Sequence, residues 1–97
     1  MRAISSRGAF VEEELDQHFR LTDASVNAVQ NNSNVDTAMA GMNQGNYKQY
    51  AVTTAEKIIQ KGGRVMKAPV SGNANHCQIF GLSLKDANNL FSNKIDW

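Results

Sequence analysis

Ninety-seven residues with 41% hydrophobic content and a single proline fit one small globular domain spanning 1–97. The lone cysteine, Cys77, excludes an internal disulfide, no Cys/His set has zinc spacing, and no apolar run approaches the roughly 18 residues of a membrane-spanning helix. The net charge of +1 hides an asymmetry: residues 1–40 set Arg2, Arg7 and Arg20 against six carboxylates, while residues 41–97 carry seven Lys or Arg against three acids.

The N-terminus has two arginines but no apolar stretch ahead of Glu12, Glu13 and Glu14, so no secretory signal is expected. The chain reads as soluble and cytoplasmic, with Met1 and Trp97 as the ends of a complete short reading frame. Phe10, Val11, Leu15, His18 and Phe19 fall near one stripe, which predicts a helix from about Ala9 to Arg20. Thr22 or Asp23 is placed to cap a short second helix carrying Val26 and Val29. Ser33 and Asp36 resemble a capping box ahead of Val35, Ala38, Met39 and Met42, a third helix. Tyr47, Tyr50, Ala51, Thr54, Ala55, Ile58 and Ile59 then form the cleanest helical stripe, stopped by Gly62-Gly63.

The period changes next. Arg64 to Ala68 and His76 to Phe80 are β-compatible runs around Pro69 to Asn75, a hairpin with a wide loop. Along the second strand His76, Gln78 and Phe80 share one face, Cys77 and Ile79 the other. Ser83 caps a last helix whose buried side is Leu84, Ala87, Leu90 and Phe91, and Ile95 with Trp97 can fold back as a tail. The expected fold is therefore α+β: several short helices packed on a C-terminal β-hairpin, followed by a capped helix. A two-stranded hairpin is marginal alone, and no charge interrupts His76 to Leu82, so the sheet is expected to be completed by a homodimer pairing along that strand.

The chemistry-bearing residues are few. His76 and Cys77, adjacent in a strand, point to opposite faces and exclude each other as a nucleophile pair, which leaves Cys77 as a buried hydrophobe. His76 follows the Asn-rich loop, and imidazole is the side chain suited to proton transfer near neutrality. Lys57, Lys61, Arg64 and Lys67 are expected to flank the loop, where Ser71, Gly72, Asn73 and Asn75 can form a backbone nest for an anion. The eleven asparagines mark turns first. The leading function is a small non-enzymatic interaction module, self-associating, that binds a partner protein, nucleic acid or other anionic ligand near residues 64–80. The alternative is a compact ribonuclease with His76 and His18 as general acid and base and Lys or Arg at the phosphate. No Walker loop, GxGxxG, HExxH or serine-hydrolase elbow occurs, and neither metal nor cofactor is expected.

Overall fold

Among the described residues, six short segments pair into one antiparallel sheet: β1 (Arg2–Ser5), β2 (Ala24–Val29), β3 (Gln49–Thr54), β4 (Arg64–Lys67), β5 (His76–Phe80) and β6 (Ile95–Asp96). The structure, a computed structural model, describes residues 1–6, 9–30 and 49–96. The spatial order is β4-β5-β2-β1-β3-β6. Helix α1 (Ala55–Gln60) carries the chain from β3 to β4 at the far side of the sheet, and α2 (Leu84–Leu90) lies between β5 and β6.

Register separates two faces. Ala3 lies between Ala28 and Thr53, Val26 opposite Cys77, and Ile79 between Ala24 and Val65. This inner face joins Ile58 of α1, Leu82, Ala87 of α2, Phe91, Phe10 and Leu21 in one buried cluster. The outer face carries Arg2 and Ile4 of β1, Ser25, Asn27 and Val29 of β2, and Tyr50, Val52 and Thr54 of β3. Arg64 and Met66 of β4, His76, Gln78 and Phe80 of β5, and Ile95 of β6 complete it.

The expectation of several helices on one hairpin is overturned by this sheet. The segment expected as a second helix forms β2 instead: Ala24, Val26 and Ala28 alternate inward, but two alanines make a faint apolar signal. The stripe from Tyr50 to Ile59 is divided, because β-branched Val52, Thr53 and Thr54 favour a strand. Thr54 then caps α1 by accepting from the Lys57 N–H at 3.2 Å. Of the helix expected over 9–20, a single 3-10 turn at Glu12–Glu14 forms. The Asp16 carboxylate accepts from the His18 and Arg20 N–H groups, and Phe19 sits at φ 60°, a backbone state that no α-helix admits. Those two N–H bonds hold the Asp16 carboxyl below its ordinary value. The helix expected behind Ser33 lies outside the described residues.

The two hairpin strands and the final helix form where they were expected. Ser83 Oγ accepts from the Asp86 N–H at 3.1 Å to start α2. Asn88 accepts from the Phe10 N–H and donates to its carbonyl, fastening the loop before the 3-10 turn to α2. Ile95 folds back as expected, as part of β6 beside Tyr50.

Gly81 ends β5 at φ 88°, and a Cβ there would lie 2.9 Å from the Gly62 carbonyl oxygen. Gly81→Ala is expected to lower the unfolding free energy by about 2 kcal/mol, combining left-handed strain with the displaced Gly62 backbone. Urea titration measures it, and an unchanged midpoint would mean that Gly62 moves aside freely.

Candidate functional site

The β4–β5 hairpin continues past its strands. Ala68 N–H donates to the His76 carbonyl, and Val70 and Asn73 exchange both backbone bonds around Ser71 and Gly72, the latter at φ 80°. The segment 69–75 is thus a narrow hydrogen-bonded extension, not a wide loop. Asn73 donates its N–H to Val70, so that group closes the turn and is not part of an anion nest. Ser71 and Gly72 occupy the exposed tip.

Two asparagines fasten this extension to β2. The Asn27 and Asn73 amides bond reciprocally, at 3.3 and 3.0 Å, with Asn27 only 3% exposed. The Ala28 N–H donates to the Asn75 carbonyl. Opposite Asn27 stands His76, whose Nδ1 is 2.7 Å from the Ala68 carbonyl oxygen. A carbonyl only accepts, so this contact places the proton on Nδ1 and leaves Nε2 as the nitrogen for a ligand.

At this end of the sheet lies a pocket of about 310 Å³. Met1, Ala28, Val29, Pro69 and Cys77 supply its apolar wall, and Gln30, Lys67 and Asn75 its polar groups, with His76 and Ala74 completing the lining. Lys67 is directly opposite Cys77 on the inner side, whereas the His76 ring belongs to the outer face. Cys77 is 3% exposed, and burial pushes its thiol above the ordinary value, with the Ala68 backbone and the Lys67 charge pulling the other way. It is a packed thiol, as its alternation with Ile79 implied.

Of the residues singled out from sequence, the pocket gathers Lys67, Asn75 and His76. Arg64 stands at the opposite end of β4, about 10 Å away by strand rise and on the outer face, and Lys57 and Lys61 lie with α1 before it. The four cations therefore do not surround the loop. The two histidines do not converge either. His18 is in the turn that leads to Leu21, whose N–H bonds the Leu82 carbonyl beyond the end of β5, whereas His76 begins that strand, on the order of 17 Å away. Gln30, Val29 and Asn27 were missed because residues 22–29 read as a helix. Alternation through Ala24, Val26 and Ala28 was the signal that would have found them.

Among the described residues no three His, Cys, Asp or Glu side chains could hold a metal ion, and no helix is long and apolar enough to cross a membrane. No protein-family model, curated protein or solved structure matches the chain.

Proposed function

We propose that this protein is a small non-enzymatic binding module that takes an anionic ligand at the base of the β4–β5 hairpin. The observation that carries the reading is the pocket, which sets one exposed cation, Lys67, and the Gln30 and Asn75 amides over an apolar wall of Val29, Pro69 and Cys77. Its volume suits a small phosphorylated or carboxylated molecule. The ribonuclease alternative loses its second imidazole, since His18 is at the other end of the sheet, and His76 alone lacks a paired acid. The cytoplasmic placement remains part of the reading, with Cys77 a free buried thiol.

Self-association needs a different surface from the one the sequence suggested. β5 has a strand on both sides, and β4 is the edge, with Arg64 and Lys67 as its end residues. Charges on an edge oppose strand pairing, so a dimer through β4 would be weak.

Pyrophosphate is a suitable probe for the pocket. Titration at low ionic strength is expected to move the amide resonances of Gln30, Lys67 and Asn75, and Lys67→Glu is expected to weaken binding at least tenfold. Lys57→Glu with Lys61→Glu, at the other end of β4, should bind as the parent does. Shifts confined to α1, or none, would overturn the assignment.

A further inference from the structure

The turn at 16–20 is built firmly around a ring that contributes nothing to the core. The Asp16 N–H donates to the Arg20 carbonyl at 2.8 Å, and the Phe19 N–H to the Asp16 carbonyl at 3.0 Å. The Asp16 carboxylate accepts from the His18 and Arg20 N–H groups, and Leu15 pairs with Leu21 across the base. Phe19 is thereby held at the tip, 76% exposed, the most exposed of the large apolar side chains among the described residues. Its φ of 60° is a state that phenylalanine takes only under constraint. A strained, preorganised and solvent-facing ring suits insertion into another surface. The charge around it is negative. The 3-10 turn at Glu12–Glu14 adjoins the loop through the bond from the Thr22 N–H to the Glu14 carbonyl. Glu12 and Glu13 are exposed and make no ion pair among the described residues. With Glu14 and Asp16 they set four carboxylates against Arg20 alone.

The pocket at the other end of the sheet is complementary in size, polarity and charge. Its volume of about 310 Å³ exceeds the roughly 150 Å³ that admits benzene to an apolar cavity, so a phenyl ring has room. Val29, Pro69 and Cys77 offer that ring an apolar wall. Among the described residues Lys67 is the one Lys or Arg of the lining, and no carboxylate lines it. A single chain cannot bring its own two parts together. Leu21, at the base of the loop, exchanges backbone bonds with Gly81 and Leu82 past the end of β5. The pocket lies at the start of that strand, on the order of 17 Å away by strand rise. Each molecule therefore presents the ring at one end of the sheet and the receptor at the other.

We propose that the 12–20 loop of one copy docks into the pocket of the next, with the Phe19 ring on the apolar wall and a carboxylate of Glu12 or Glu13 at Lys67. This rests on the pocket being a site for anionic groups, and names their source as a second copy of this chain. The contact joins two different surfaces, so it is heterologous, and copies add head to tail instead of closing as a twofold dimer. One ring and a few charges bury less area than a stable interface does, so the association is weak and reversible. Opposite charges on loop and pocket fix its direction and make it sensitive to salt.

Sedimentation velocity of the whole chain at rising concentration and low salt is expected to show species beyond a dimer. Phe19→Asn should weaken association at least tenfold without lowering the melting temperature, because asparagine accepts a left-handed φ. Lys67→Glu should weaken it to a similar extent. An equimolar mixture of the two variants is the sharpest measurement. The loop of the Lys67→Glu variant still fits the pocket of the Phe19→Asn variant, so the mixture should form a closed 1:1 dimer that neither forms alone. Pyrophosphate, competing for Lys67, should dissociate the parent. A parent that stays monomeric or stops at a dimer, parental association in Phe19→Asn, or a mixture that remains monomeric would each overturn the proposal. If pyrophosphate still moves the Lys67 amide resonance of the Phe19→Asn variant in those cases, the pocket stands and only the docking falls. No pyrophosphate response in that variant would overturn the anion pocket, and the docking with it.

Discussion

Phe91→Ala is expected to remove a large part of the domain's stability. Phe91 is 1% exposed, the largest of the fully buried side chains, and its ring meets Phe10 at 5.3 Å with a 53° tilt. It closes the cluster in which the end of α2 meets the inner face of the sheet. Phe10 itself is fastened to α2 by Asn88, so the surrounding chain is poorly placed to collapse into the void. Truncating such a ring costs about 3–5 kcal/mol, transfer and cavity together. A domain of this length holds roughly 5–15 kcal/mol in all. Each kcal/mol corresponds to about 4–8 °C in a chain this small, so the melting temperature should fall by more than about 12 °C. Calorimetry that finds a shift of only a few degrees would mean that the cluster closes without the ring.

Gln78→Pro is the second large effect, and the structure changes its meaning. From sequence, this strand looks like an unprotected edge, and proline there would only weaken a dimer. In the fold Gln78 lies between Ser25 of β2 and Met66 of β4. Proline removes a ladder hydrogen bond and forces its ring into a paired strand, which costs about 3 kcal/mol or more. The substitution should therefore unfold the monomer rather than dissociate an assembly. Circular dichroism and sedimentation separate the outcomes: loss of β signal is expected, whereas a folded monomer from a parental dimer would restore the edge interpretation.

The readable parts of the sequence were those whose structure is local. Ser83 and Asp86 set the start of α2 within one turn, and Gly62-Gly63 ends α1 where the stop was expected. The strands of the β4–β5 hairpin follow from β-compatible runs joined by a turn that closes at Gly72. The candidate site was legible to the same extent: Lys67, Asn75 and His76 are within ten residues of one another and all line the pocket. Its other wall comes from β2, far off in the chain, whose small residues gave no clear period.

By itself, then, the sequence determined the hairpin strands, the capped final helix, the thiol buried on the face away from His76, and, with one cysteine, the lack of an internal disulfide. Each depends on neighbours a few residues apart or on composition. Tertiary structure decided the rest. A strand is stabilised by partners that its own sequence does not name. β2 and β3 became strands because Ala3, Ala28 and Ala51, as small residues, let β1, β2 and β3 lie under one layer of Ile58, Leu82 and Phe91. The same pairing made β5 interior, sent Arg64 and Lys67 to opposite faces, and kept His18 from His76. Strand alternation and sheet order, both non-local, distributed the charges that composition alone could only count.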